Sequence, residues 1–145
     1  MSIPVIFCRK HAIGSVVLRG FLWSAWSHCA IINGDEVIEA AAPGGVRARP
    51  LAELIAESSR FEVIHFPARD PATVIAAARA QIGAPYDWGG VIGIGFRRRW
   101  QDHDAWFCSE LIAAAFADAG EPLVRVDAWR ITPRDLYLPI RSPHA

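Results

Sequence analysis

The sequence predicts an α+β domain, a small antiparallel sheet or half-barrel packed against helices. Short apolar runs of strand type gather in the first half of the chain, two of them joined by the hairpin signal Asn33-Gly34-Asp35. Alanine-rich helical segments with defined ends follow. With 145 residues and 52% hydrophobic content, the chain has enough apolar material for one sizeable core, and residues 1–145 are expected to form a single domain.

Taken in order, Ile3 to Cys8 and Ser15 to Leu18 read as strands. The aromatic connection from Gly20 to Trp26 either lines a cleft or roofs the core. Ser27 to Ile32 and Glu36 to Ala41 form the hairpin. With Asn33 and Gly34 as its central turn residues, the register sets His28 directly across from Glu39. Pro43-Gly44-Gly45 turns the chain into Val46 to Arg49, and Pro50 opens a short helix, LAELIAES. Phe61 to Phe66 is a further strand. Asp70 is placed to cap a helix from Ala72 to about Ile82, with Pro71 at its first position. Gly83 to Trp88 breaks that helix, and GGVIGIGF reads as a loose helix with small residues. The segment SELIAAAFADA, from Ser109 to Ala119, is a helix closed by Gly120 and Pro122. Val124 to Val126 and Leu136 to Ile140 are short strand candidates, with a helical turn starting at Thr132.

Fifteen basic and fifteen acidic residues give no net charge, and no concentrated basic footprint marks a nucleic-acid binder. Arg97-Arg98-Arg99 is a short cluster, either a solvated loop or a handle for an anion. No segment has the run of about 18 apolar residues that spans a bilayer. The N-terminal residues lack signal-peptide character, and a cytoplasmic location is expected. Cys8, Cys29 and Cys108 resemble neither a disulfide framework nor a zinc motif, so neither metal nor cofactor is expected. Cys8 and Cys29 read as small buried hydrophobes.

Cys108 lies where the aromatic pair Trp106-Phe107 meets the apolar helix, in its first turn or just before it. Unpaired N–H groups and the helix dipole favour a thiolate there, although a buried core cysteine fits the same neighbours. His28 and Glu39 change the balance. A histidine held by a cross-strand carboxylate keeps one tautomer and can act as a general base, whereas each residue alone is also an ordinary core histidine or strand glutamate.

Ser27-His28-Cys29-Ala30-Ile31-Ile32, Val37-Ile38-Glu39-Ala40 with Gly44-Gly45-Val46, Gly83-Ala84-Pro85-Tyr86-Asp87 and Phe107-Cys108-Ser109-Glu110-Leu111-Ile112, in this order, resemble the circularly permuted branch of the NlpC papain-like cysteine hydrolases. That branch also holds the lecithin retinol acyltransferase-like proteins. The resemblance spans roughly residues 12 to 140. It implies Cys108 as nucleophile, His28 as base and Glu39 as the residue orienting it, with Tyr86 and Asp87 near the cleft; Trp26 and Trp106 are candidate substrate contacts on their aromatic character alone, which a core position fits as well. It further implies a peptide, cell-wall peptide or acyl-lipid substrate, attacked at an amide or ester carbonyl, with backbone N–H groups from Phe107 to Ser109 meeting the oxyanion. Two other readings stand beside it: an idle papain-like fold that binds an acyl group in a tryptophan-lined pocket, and a phage-related accessory protein.

Overall fold

A computed structural model describes residues 1–10, 26–41, 44–84, 103–123 and 136–137. Five antiparallel strands, β1 (Ser2–Lys10), β2 (His28–Asn33), β3 (Glu36–Ala41), β4 (Gly45–Pro50) and β5 (Ser58–Pro67), form one open sheet in the order β4-β3-β2-β1-β5. Helix α1 (Leu51–Ala56) links β4 to β5, α2 (Pro71–Ala80) follows β5, and α3 (His103–Asp118) carries Cys108. The α+β expectation holds.

Strand alternation divides the apolar residues between two faces. Val5, Phe7, Ile31, Ile38 and Ala40 pack with Leu111, Ile112 and Phe116 of α3 in the main core. Ile6, Cys8, Ala30, Ile32 and Val37 form a smaller cluster with Leu54 of α1. The sheet is therefore covered on both faces, and α3 is positioned by its packing on β2 and β3.

Helix ends follow local chemistry. Asp70 Oδ1 accepts from Thr73 N–H at 3.2 Å and Pro71 occupies the first helical position, as expected. Past α3, Gly120 turns to φ +74°, and its N–H donates to Ala117 O at 2.9 Å while that of Glu121 donates to Phe116 O at 2.8 Å. This is a Schellman stop.

Three expectations change. The hairpin pairs Ile31 with Ile38, Ile32 with Val37 and Asn33 with Glu36, so the central turn residues are Gly34 and Asp35. Gly34 takes φ +62°, which a glycine adopts without a Cβ clash, and Asn33 Nδ2 closes the turn on Glu36 Oε1 at 3.2 Å. The cysteine helix begins at His103, not Ser109, because Asp104, Ala105 and the aromatic pair are compatible with helix once α3 packs on the sheet. Leu136 and Tyr137 are helical rather than extended. Ser15 to Leu18, GGVIGIGF, Arg97 to Arg99 and Val124 to Val126 lie outside the described residues.

Candidate active site

His28 is the first residue of β2, at the end of the strand. Its ring is 3% exposed, and its Nε2 lies 2.6 Å from Glu39 Oε2. Glu39 sits on β3 between Ile38 and Ala40, which face the main core, so alternation turns its side chain to the face that carries α1. There it is fully buried, at 0% exposure. A carboxylate so placed needs compensating charge, and β4 supplies it.

Arg47 stands directly opposite Glu39 in the β3–β4 ladder, and Arg49 is two residues further along the same face. Arg47 donates to Glu39 Oε1 through Nε at 3.0 Å, with its Nη2 at 2.9 Å. Arg49 Nε lies 2.7 Å from the same oxygen, an ion contact whose N–H is not aimed at it. The Arg49 head is fixed by a fork to Glu57, at 2.8 Å and 2.9 Å. The two carboxylate oxygens are thus divided: Oε2 serves the imidazole and Oε1 the arginines. Burial raises the carboxyl's pKa, but His28 and Arg49 outweigh it and hold Glu39 far below the usual carboxylate range.

Cys108 comes from α3, on the other face, and is 1% exposed. Burial pushes its thiol up. Hydrogen bonds with the side chains of Cys29 and His28, the charge of His28 and a bond from the Cys29 backbone reverse that and bring it well below the ordinary thiol value. His28 moves the opposite way. Burial opposes its protonation, yet its hydrogen bonds to Cys108 and Glu39 raise it above the ordinary imidazole value. Since Nε2 is engaged by Glu39, Nδ1 is the nitrogen left for the thiol. The arrangement favours a thiolate–imidazolium pair backed by a carboxylate.

The structure therefore brings together Cys108, His28 and Glu39, but by different means than the sequence suggested. Cys108 is the sixth residue of α3. Only the first four N–H groups of a helix lack an internal partner, and dipole effects fade within the first turn. Its acidity comes instead from His28 and Cys29, and the expectation that its own N–H meets an oxyanion is withdrawn, because that group belongs to the helical ladder.

Trp26, expected to contact substrate, is 2% exposed and packs in the core. Its ring lies 6.4 Å from Phe7 and 5.6 Å from Tyr137, with the Arg60 guanidinium 5.4 Å from its centroid. Tyr86, Asp87 and the Trp106 side chain lie outside the described residues. Sequence reasoning missed Arg47, Arg49 and Cys29. For the arginines a signal existed: two cations spaced two apart on the strand returning beside Glu39 must share one of its faces.

A buried histidine between a helix cysteine and a strand carboxylate, with the histidine strand earlier in the chain, defines a permuted papain-like protein. Residues 5–137 match the family described as permuted papain-like amidase enzyme, YaeF/YiiX, C92 family, and the chain belongs to it. It is 27% identical over 166 aligned positions to the Escherichia coli K12 protein named "Probable lipoprotein peptidase YaeF", covering 91% of this chain and 61% of that one. The chain thus spans less than two thirds of that relative's length. The crystal structure of metalloprotein yiiX from Escherichia coli O157:H7 superposes with a TM-score of 0.57 at 20% identity, covering 82% of this chain and 66% of that chain. That likeness shows the fold. Among the described residues, no helix is long and apolar enough to cross a membrane.

Proposed function

We propose that the chain is a cysteine amidase in which Cys108 is the nucleophile, His28 the general acid and base, and Glu39 the residue that fixes the imidazole. The observation that carries this reading is the placement of buried His28, bonded at 2.6 Å to Glu39 and close enough to Cys108 that the imidazole is raised and the thiol lowered. The Cys108 thiolate attacks the carbonyl carbon of an amide, forming a C–S bond. The C–N bond breaks as His28 passes its proton to the leaving amine. Neutral His28 then takes a proton from water, whose oxygen attacks the thioester, and Cys108 leaves as thiolate with the carboxylic acid released.

The family description and the peptidase name of the E. coli relative support an amide, and a peptide in particular, over an ester. A wider kinship with the NlpC and lecithin retinol acyltransferase-like proteins rests on the order of His28 before Cys108 and on the segment Phe107-Cys108-Ser109-Glu110-Leu111. It makes acyl transfer the second reaction to assay. One solved relative is called a metalloprotein. In this chain no group of three His, Cys, Asp or Glu side chains among the described residues converges as a ligand set, and His28 and Cys108 already engage each other, so no step is drawn through a metal.

The test follows alkylation of Cys108 by iodoacetamide against pH, by intact mass and peptide mapping, in the wild type and in His28→Ala. Selective labelling well below the ordinary thiol pKa of about 8.5, lost in His28→Ala, is the expected result. Peptide-amide hydrolysis abolished by Cys108→Ala completes it. Labelling indifferent to His28 would remove the ion-pair mechanism.

A further inference from the structure

All three cysteines are reduced and buried, and the proposed amidase mechanism uses only one. Cys29 follows His28 on β2, and alternation turns it to the face that carries α3. There it joins Cys108 in the main core. The two side chains lie close enough to shift one another's ionisation, Cys108 downward and Cys29 upward. Cys8 packs in the smaller cluster on the opposite face. A nucleophilic sulfur thus has one second sulfur against it, on its own side of the sheet.

We infer that Cys29 is a resolving thiol, which makes the Cys29–Cys108 pair a site of reversible oxidation by hydroperoxides. The chemistry balances with the groups present. The Cys108 thiolate attacks one peroxide oxygen, the O–O bond breaks, and the departing oxygen takes the His28 proton as water or alcohol, leaving Cys108 as sulfenic acid. His28 is then neutral and can accept the Cys29 proton. The Cys29 sulfur attacks the Cys108 sulfur, the S–S bond forms, the S–O bond breaks, and hydroxide leaves as water with that proton. Two thiols are oxidised by two electrons, and one hydroperoxide is reduced.

Two physical features favour this outcome over irreversible damage. Burial and the neighbouring Cys108 keep the Cys29 thiol protonated while Cys108 is ionised, so Cys29 does not compete for the oxidant; it acts once the Cys108 charge is gone. Cys108 is 1% exposed, which favours a small oxidant such as hydrogen peroxide, close to water in size. Cys8 is held at a pKa of about 11, mainly by burial, and lacks both the position and the ionisation to resolve the sulfenic acid.

The inference goes beyond amide hydrolysis: it requires an ionised Cys108 but no turnover. The test treats reduced full-length protein with hydrogen peroxide, quenches with N-ethylmaleimide and maps peptides without reductant. The wild type is expected to lose two hydrogens, to yield a peptide cross-linked between Cys29 and Cys108, and to recover iodoacetamide labelling after dithiothreitol. Cys29→Ser is expected to gain two or three oxygens on Cys108 irreversibly. Cys8→Ser, which leaves the pair intact, is expected to cross-link as the wild type does and stands as the control if Cys29→Ser folds poorly. Over-oxidation of Cys108 in the wild type, or a cross-link through Cys8, overturns the inference. Fast alkylation of Cys108 without a disulfide defeats this inference alone, whereas a disulfide in a protein that cleaves no amide defeats the amidase reading alone.

Discussion

His28 and Glu39 are bonded at 2.6 Å although continuation of the observed β2–β3 ladder pairs Glu39 with Ala30 rather than His28. The turn moved by one residue, which slides the pairing by two and preserves the face, so the pair survives as diagonal neighbours. A glutamate side chain is long enough to span that diagonal. An odd slip would have separated the residues across the sheet.

Glu39→Gln tests what the carboxylate contributes beyond shape. The glutamine has one carbonyl oxygen and one amide group, and the arginines demand the oxygen. The amide then faces His28, whose Nε2 must accept, so its proton moves to Nδ1 and points at the thiol. A histidine in that tautomer cannot take the thiol proton. Hydrolysis is expected to fall by about a hundredfold or more, with KM little changed, as measured in steady-state assays on a peptide amide. A loss confined to KM would remove Glu39 from the mechanism.

The opposed shifts of Cys108 and His28 set the pH dependence. Cys108 is lowered, so its thiolate is lost only when pH falls below that reduced value; His28 is raised, so its proton is lost only when pH rises above its increased value. Between them lies the ion pair. The rate of peptide-amide hydrolysis is expected to be bell-shaped, with the acid limb from Cys108 and the alkaline limb from His28. In His28→Gln the alkylation midpoint should move upward past the ordinary thiol value, because burial then acts with less opposition. An unchanged midpoint would place the origin of the thiol's acidity elsewhere.

Arg49 acts through Glu39. Its fork to Glu57 holds it beside Glu39 Oε1, and those contacts keep it charged. Arg49→Met is expected to raise the Glu39 pKa, free the carboxylate from its fixed position against the imidazole and slow alkylation of Cys108 at pH 6 several-fold, with Arg49→Lys recovering part of the rate. Recovery by Lys separates this positioning role from packing, since Met and Lys fill similar volumes. Equal behaviour of the two variants would make Arg49 a structural residue only.

Local signals in the sequence were sufficient where the backbone chemistry is local. The Asp70-Pro71 start and Gly120 stop depend on a few adjacent residues, and both are where the pattern placed them. The His28–Glu39 pair was legible because face parity is robust to the exact turn. The start of α3 was not, since Trp106 and Phe107 are indifferent helix formers whose state is decided by tertiary packing. Cys29 stayed hidden for a related reason: nothing in the sequence says which strand a helix lies across. Trp26 was ambiguous because an aromatic that lines a cleft and one that fills a core look alike in composition, and in the structure it packs against Phe7 and Tyr137.

Acid stability gives the final prediction. Glu39 in the folded chain titrates far below its unfolded value of 4.5, so around and below that unfolded value this carboxyl binds more proton in the unfolded chain than in the folded one. Its contribution to stability is fully present above that unfolded value and is lost as pH falls towards the folded value. Breaking a buried ion pair by removing one partner typically costs about 3–5 kcal/mol, and Arg47, half exposed, recovers some of this by turning to water. Glu39→Gln is therefore expected to be less stable than the wild type in urea at pH 7. In a His28→Gln background, where no imidazole coupled to Glu39 titrates, the gap should shrink at pH 3, since the variant has no carboxylate there to protonate. Other acidic residues with lowered values, such as Glu57, titrate in both proteins and cancel in the comparison. Urea midpoints at the two pH values measure the difference directly. A gap that stays constant between pH 7 and pH 3 would mean that the Glu39 charge is not what Arg47 and Arg49 hold in place.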